Sequence, residues 1–128
     1  MPSNIAVVQE VYAAFGRADL AAILARVAPE VDWEFVGSPA LPYAGGRRNQ
    51  QEVGAFFAAV AGADDIHVFE PREFIDGGEH VTVLGWEETT ARDTGIRFAS
   101  QWVHVFTLRD GRITRWRGFF NTAARYGK

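Results

Sequence analysis

Cysteine is absent from the 128 residues of this chain. Its absence excludes disulfides, thiolate nucleophiles and thiolate metal ligands, so any chemistry has to come from other side chains. Basic runs are scarce as well: the formal net charge is −3, and Arg47 and Arg48 are the only adjacent basic pair. A phosphate backbone is recognised by a strip of positive charge, so we do not expect a nucleic-acid partner.

Long apolar runs are missing too. No segment approaches the roughly 20 apolar residues of a membrane span. The N-terminus, MPSNIAVVQEVY, lacks a basic segment followed by an apolar core. We therefore expect a cytoplasmic protein without a membrane partner.

Aromatic residues, in contrast, are plentiful. They make up 13% of the chain and include four tryptophans. The length corresponds to one domain, so we predict a single domain over residues 1–128 with one hydrophobic core. Four tryptophans exceed what a minimal core of this size requires, which predicts that some of the rings line a cavity.

The first half of the chain predicts three helices. Ser3 or Asn4 can cap a helix that ends near Gly16, and Asp19 opens a second, shorter one with Pro29 just past its end. The apolar face of this second helix consists of Leu20, Ile23, Leu24 and Val27. After the β-prone run VDWEFVG and the loop SPALPYAGG, a capping box formed by Asn49 and Glu52 begins the third helix.

From Ile66 onward the apolar pattern changes to period two. It predicts four strands, at Ile66–Ile75, His80–Ala91, Arg97–Arg109 and Ile113–Asn121, separated by the turn sequences DGG, RDTG and RDG. Three helices followed by a run of strands predict an α+β fold. In it, the helices pack in the concave face of a curved, mainly antiparallel sheet that forms a cone-shaped α+β barrel.

Two segments resemble a known family. PYAGGRRNQQEVGAFFAAV and VHVFTLRDGRITRWRGFFNTAA are similar to the SnoaL-like polyketide cyclase group of the nuclear transport factor 2 fold superfamily, which includes ketosteroid isomerases, and the similarity covers nearly the whole chain. The resemblance implies a cone-shaped pocket for a small hydrophobic molecule. Because this scaffold hosts enzymes and non-catalytic binding modules alike, it implies the fold more strongly than an activity.

Asn121 departs from the pattern of the cyclases and epoxide hydrolases. Those relatives usually have an acid/base aspartate at this position, on the floor of the pocket. An amide cannot exchange a proton near neutral pH, but it can orient a water molecule or a carbonyl group. The epoxide hydrolases also carry an Arg-x-Asp unit, which Trp86-Glu87-Glu88 matches only at Glu88. Epoxide hydrolysis by that mechanism is therefore not expected.

The ketosteroid isomerases place an oxyanion tyrosine at Val11, next to Tyr12, and a second oxyanion donor at His104. Their general base falls near Phe35, which cannot accept a proton. The isomerase machinery is thus not reproduced, although a histidine at position 104 can still donate a hydrogen bond. The alternative for His104 is a buried residue whose hydrogen bonds are satisfied within the fold.

Strand parity leaves the orientation of the glutamates open. Glu87 and Glu88 are neighbours on one strand, so they face opposite sides of the sheet. We choose Glu88 as the candidate carboxylate, because burial among aromatic rings would raise its pKa and make it an acid or base. The alternative is an exposed Glu88 paired with an arginine.

The predicted site joins these residues. Its catalytic set is His104, Glu88 and Asn121. Its ligand-binding set is Tyr12, Trp33, Tyr43, Phe56, Trp86, Trp102 and Phe119. For the aromatic members, the alternative is simple packing in the core.

We expect neither a metal nor another cofactor. His67 and His80 have no ligand spacing with each other or with His104. Val103, Val105 and Thr107 give the opposite face of their strand an apolar character, which predicts a homodimer that pairs through the sheet.

Two functions remain open from the sequence. The first is an isomerase or cyclase that transfers a proton next to a carbonyl group of a small hydrophobic substrate. The second is a binding module that holds such a molecule without reacting. The missing aspartate at position 121 is expected for a binding module and weakens the case for an enzyme.

Overall fold

The computed structural model describes residues 2–128. Within them, four helices and six strands follow one another. They are α1 (Asn4–Gly16), α2 (Leu20–Leu24), β1 (Val27–Phe35), β2 (Gly45–Asn49), α3 (Gln50–Ala63), β3 (Asp64–Gly77), β4 (His80–Ala91), β5 (Arg97–Arg109), β6 (Arg112–Phe120) and α4 (Thr122–Arg125). Within the described residues, no helix is both long enough and apolar enough to span a bilayer.

The helix starts follow the capping signals in the sequence. The Ser3 hydroxyl accepts the backbone N–H of Ala6 at 3.2 Å. The Asn49 side chain accepts the N–H of Glu52 at 2.9 Å, and the Glu52 carboxylate in turn accepts the N–H of Arg48 at 2.8 Å. This reciprocal arrangement fixes the start of α3 and the direction in which its apolar face points.

The end of the second helix differs from the prediction. We predicted Val27 on the apolar stripe of α2, but α2 ends at Leu24 and Val27 begins β1, opposite Ile113 of β6. Val27 is β-branched, and Pro29 cannot donate the N–H that a continued helix requires, so this segment favours an extended backbone. The predicted strand VDWEFVG is therefore the second half of a longer one.

The sheet is curved, mainly antiparallel and unclosed, with the N-terminal helices packed against it, which confirms the predicted fold class. Its strand order is β2-β1-β6-β5-β4-β3, and only β1 and β6 run parallel. β2 and β3 form its two edges. The short strand β2 was also missed, because it falls at the end of the glycine-rich loop.

Two glycines on the concave face of the sheet allow large rings to lie close to the backbone. A methyl group at Gly85 would overlap the indole of Trp102 on the neighbouring strand, and one at Gly118 would overlap the indole of Trp116. Glycine at these positions lets both indoles lie across the sheet. These rings belong to the core that the strands share with α1 and α3.

Candidate functional site

A cavity of about 80 Å³ lies between the concave face of the sheet and the helices. By the usual criterion of about 10–15 Å³ for one water molecule, it can hold several. Phenylalanine, tyrosine and tryptophan side chains dominate its lining. The helices contribute Tyr12, Phe15, Phe56 and Phe57, and the strands contribute among others Trp33 and Trp116, whose rings stack with centroids 4.4 Å apart.

Tyr12 of α1 and His104 of β5 form a hydrogen-bonded pair in the cavity wall. The Tyr12 hydroxyl lies 2.7 Å from His104 Nδ1, and the two rings are nearly parallel at a centroid distance of 5.9 Å. Burial lowers the pKa of His104 to about 3 and raises the pKa of Tyr12 well above its ordinary value. Both groups are therefore neutral at physiological pH.

This pair offers one donor to the cavity in either tautomer of the imidazole. If the Tyr12 hydroxyl donates to Nδ1, then Nε2 of His104 carries the second proton; if Nδ1 donates, the Tyr12 hydroxyl proton is free. Of the hydrogen bonds between described residues, those of His104 involve Nδ1 alone. The Nε2 atom is also absent from the completely buried polar atoms that have no hydrogen-bond partner. The pair can therefore donate to an acceptor such as a carbonyl oxygen.

Glu87 of β4 supplies a carboxyl group to the same cavity. It is 8% exposed, and its Oε1 accepts the Thr89 hydroxyl at 2.9 Å. Burial raises the pKa of Glu87 to about 7, the Thr89 hydrogen bond lowers it, and the charge of Asp64 raises it further. Its Oε2 has no hydrogen-bond partner among the described residues and is not completely buried. Glu87 can thus take up or release a proton near neutral pH.

A buried ionic network flanks this carboxyl group. Asp64 accepts the Tyr43 hydroxyl at 2.7 Å on one oxygen, and Nε and Nη2 of Arg125 at 3.2 and 3.0 Å on the other. The side chains of Arg125 and Asp64 are 0% and 2% exposed, and Arg125 also lies 3.4 Å from Asp93. Asp64 and Tyr43 line the cavity, whereas Arg125 stands behind them.

Neither Glu87 nor Arg125 was selected from the sequence. Glu87 was considered, but its neighbour was preferred. Arg125 lies in the short helix α4, which follows the last predicted strand and was not itself predicted. The local pattern AARYGK gives no indication of burial, because the acidic partner lies 61 positions away in the sequence.

Several predicted site residues lie where we expected them. Tyr12, Trp33, Tyr43, Phe56 and His104 all line the cavity. Trp102 is 2% exposed and packs against His104 with ring centroids 4.1 Å apart, so it supports the cavity wall from beside it. Their roles toward a ligand remain predictions.

Two residues of the predicted site lie on the convex face instead. The Glu88 side chain is 38% exposed and lies 3.7 Å from Arg97, and it accepts the indole N–H of Trp86 at 3.1 Å. Arg72 lies over the Trp86 ring at 5.4 Å. The buried residues of β4 alternate from Val81 to Ala91 and include Glu87, so parity turns Glu88 outward. This corrects the expectation that Glu88 faces the cavity.

Phe119 and Asn121 also lie outside the cavity. Phe119 is 40% exposed on the convex face. Asn121 is exposed, and it follows the end of β6 as the residue that precedes α4. Its backbone N–H donates to the Ser100 hydroxyl at 3.0 Å. This corrects the expectation that Asn121 forms the pocket floor, because the strand ends one residue earlier than predicted.

The remaining histidines bond to threonines across neighbouring strands. His67 Nε2 lies 2.8 Å from the Thr90 hydroxyl, and His80 Nδ1 lies 3.0 Å from that of Thr107. In the part of the chain that the structure covers, no group of three histidine or acidic side chains is arranged to hold a metal ion.

Comparison with known proteins identifies the fold family. The model of the SnoaL-like domain matches residues 8–116. A protein of unknown function from Burkholderia pseudomallei K96243, described as NTF2-like, is 35% identical, with 96% of this chain and 94% of that chain covered and a TM-score of 0.84. An NTF2-like protein from Burkholderia xenovorans LB400 is 30% identical, with 97% and 93% covered and a TM-score of 0.87.

A third similar structure contains an organic compound. TerC, co-crystallised with polyporic acid, is 30% identical to this chain, with 97% of this chain and 95% of TerC covered and a TM-score of 0.82. No curated protein matches the sequence. The family match, together with these relatives, shows that the chain belongs to the SnoaL-like family of the NTF2-like fold.

Proposed function

We propose that this protein binds a small hydrophobic molecule with a carbonyl group in its aromatic cavity and catalyses a proton transfer on it, as an isomerase or cyclase. Glu87 is the proton-transfer group in this proposal, and the Tyr12–His104 pair holds the carbonyl oxygen. The observation that carries the proposal is a carboxyl group with a pKa of about 7, one oxygen of which is free, inside a cavity of aromatic rings.

The value of that pKa suits the role. A general acid or base works best when its pKa lies near the operating pH, and such groups typically contribute 10²–10⁴-fold to a rate. His104, which we predicted to handle protons, is neutral at any pH above about 3 and suits the role of donor. A neutral donor that stabilises a developing oxyanion is a common partner of a carboxylate base.

The spacing of the two groups sets a size for the ligand. Glu87 is opposite Ser100 in the register of the sheet, four residues before His104 on β5. Four residues of a strand span about 13 Å. That distance separates the backbones, whereas both side chains line the same cavity. In this proposal a ketone of about two rings places its carbonyl group at the Tyr12–His104 pair, with the adjacent C–H group toward Glu87. The structure of TerC with polyporic acid supports an organic ligand for this fold.

Deuterium exchange tests the proposal. We would incubate the protein with 2-tetralone, a two-ring ketone, in D₂O and follow exchange next to the carbonyl group by NMR. Glu87→Gln should slow the catalysed exchange by at least about 100-fold. Glu88→Gln is the matched control, since it makes the same change on the convex face. Exchange no faster than in buffer, or equal loss in both variants, would overturn the catalytic role of Glu87.

The second candidate is a binding module without catalysis. It is favoured by the neutral state of His104 and by the position of Asn121, because neither of these predicted catalytic residues then transfers a proton in the cavity. In that case 2-tetralone should quench the tryptophan fluorescence on binding, and the exchange rate should stay at the buffer value in every variant.

A further inference from the structure

The charged groups in the lining of the cavity are acidic. Two of the lining residues, Asp64 and Glu87, carry carboxyl groups, and among the described residues the lining contains no arginine or lysine. The lining imidazole, His104, is held neutral by burial, which lowers its pKa to about 3. A charge in a cavity of low polarity interacts strongly with its neighbours, so this imbalance affects any ligand that enters.

The buried arginine behind the cavity wall is already paired with carboxylates. Arg125 donates twice to Asp64 Oδ1 and lies 3.4 Å from Asp93, with its side chain fully buried. Its Nη1 has no partner among the described residues, but Arg125 does not line the cavity. Arg92 lines a neighbouring groove between the α1–α2 turn and β3, outside this cavity. Among the described residues, no arginine or lysine therefore lines the cavity to pair with an anionic ligand.

The two carboxyl groups differ in what they can still accept. Both oxygens of Asp64 are occupied, by Tyr43 on one side and Arg125 on the other. Glu87 uses Oε1 for the Thr89 hydroxyl, and its Oε2 is free. A ligand group that meets Glu87 Oε2 gains a hydrogen bond if it is a donor, and a charge-assisted one when the carboxyl group is ionised.

We propose that the acidic end of the cavity selects against negative charge, so that the ligand is a small aromatic molecule with a hydroxyl or amine donor and no carboxylate. This proposal rests on the proposed function, because it concerns the ligand of the same cavity. The donor group meets Glu87, and the carbonyl group of the ligand lies toward the Tyr12–His104 pair. A carboxylate placed beside Glu87 would be a desolvated like-charge neighbour, which is strongly unfavourable.

The surroundings of Glu87 also give the selection a pH dependence. The groups around it are Asp64, which is paired with Arg125, the neutral Tyr43, and Thr89 on its own strand. As the pH rises, Glu87 loses its proton near neutrality, which adds a negative charge to this end of the cavity. The discrimination between an amine and a carboxylate should therefore be greater at pH 8.5 than at pH 5.5.

Three ligands that share one ring system test the proposal. They are 2-naphthylmethanol, 2-(aminomethyl)naphthalene and 2-naphthoate, with affinities measured by isothermal titration calorimetry at pH 5.5 and 8.5. We expect the alcohol and the amine to bind at least about tenfold more tightly than the naphthoate at pH 8.5. Glu87→Gln should remove most of that preference, and Glu88→Gln should leave it unchanged.

The outcomes separate the two proposals. If all three compounds bind equally tightly and Glu87→Gln changes none of the affinities, the cavity binds ligands but the charge selection is wrong, and an acid such as the one in the TerC structure would fit here as well. If none of the three compounds binds, the cavity is not a ligand site and both proposals fail. The pH series on the unsubstituted protein gives the same decision without relying on a variant.

Discussion

The two faces of strand β4 place neighbouring glutamates in different chemical environments. Glu87 is 8% exposed, lies beside aromatic rings, and has its pKa raised to about 7 by burial. The Glu88 side chain is 38% exposed and lies 3.7 Å from Arg97 in solvent. The difference teaches that identical side chains one residue apart can be buried with a shifted pKa on one face and exposed on the other, because parity in a strand decides burial.

The largest expected effect is on the free energy of unfolding, and it compares a buried ion pair with an exposed one. Arg125→Met should lower the free energy of unfolding by about 3–5 kcal/mol, because it leaves Asp64 buried without its cation. The matched control is Arg72→Met. It breaks a 2.7 Å pair with Glu70 whose side chains are 57% and 51% exposed, and should cost less than about 1 kcal/mol. Urea unfolding at pH 7 measures both, and equal losses would contradict the assignment of Arg125 to a buried network.

The next effect is a pH dependence of stability. The folded protein holds the Glu87 proton more tightly than the unfolded chain, since the pKa rises from 4.5 to about 7. Glu87 therefore lowers stability as the pH rises from about 4.5 to 7. Glu87→Gln removes this loss and should be more stable than the unsubstituted protein at pH 8, by about 3 kcal/mol.

Because His104 also titrates, the quantity to compare is the difference in the free energy of unfolding between Glu87→Gln and the unsubstituted protein. Its folded pKa of about 3 lies below the ordinary value of 6.5, so it destabilises the fold as the pH falls through 6.5, opposite in sign to Glu87. Subtracting one unfolding curve from the other cancels the contribution of His104. Glu88→Gln should follow the unsubstituted protein within about 0.5 kcal/mol at every pH, and a Glu87→Gln difference that does not change with pH would refute the assigned pKa.

The last prediction concerns the oligomeric state and the convex face of the sheet, where a substitution should change the stability of one chain least. We predict a homodimer through Val103, Val105 and Thr107, which are half-buried in the isolated chain. Light scattering at micromolar concentration should then give twice the chain mass of 14.2 kDa. Val105→Lys should reduce it to one chain mass, whereas Leu20→Lys, at a 38% exposed residue of α2, should not. A single chain mass for the unsubstituted protein would contradict the prediction.

The sequence predicted the fold well where one signal dominated. Strands β4 and β5 have the bounds that alternation and turn residues predicted, His80–Ala91 and Arg97–Arg109. The capping box predicted the start of α3. The helix α2 was extended too far because Val27 fits a helical stripe and a strand equally well, and its pairing with Ile113 depends on a residue far along the chain.

The candidate site was harder to predict, for a physical reason. On β4 both faces are apolar: Val81 and Val83 on the inner one, Leu84 and Trp86 on the outer one. Alternation alone therefore cannot say which glutamate is buried. The decisive feature is Gly85, since Trp102 lies across it on the concave side. That contact exists only after β4 and β5 have paired.

The indoles that lie across Gly85 and Gly118 also affect how much of the cavity stays open. An indole lying flat on the backbone rises less above the sheet than one that stands upright, and Trp116, beside Gly118, is part of the cavity wall. A methyl group at position 118 would overlap the Trp116 ring, so the ring would have to move away from the sheet and into the cavity. The open space between the sheet and the helices therefore depends on the absence of a side chain at a position that does not itself line the cavity.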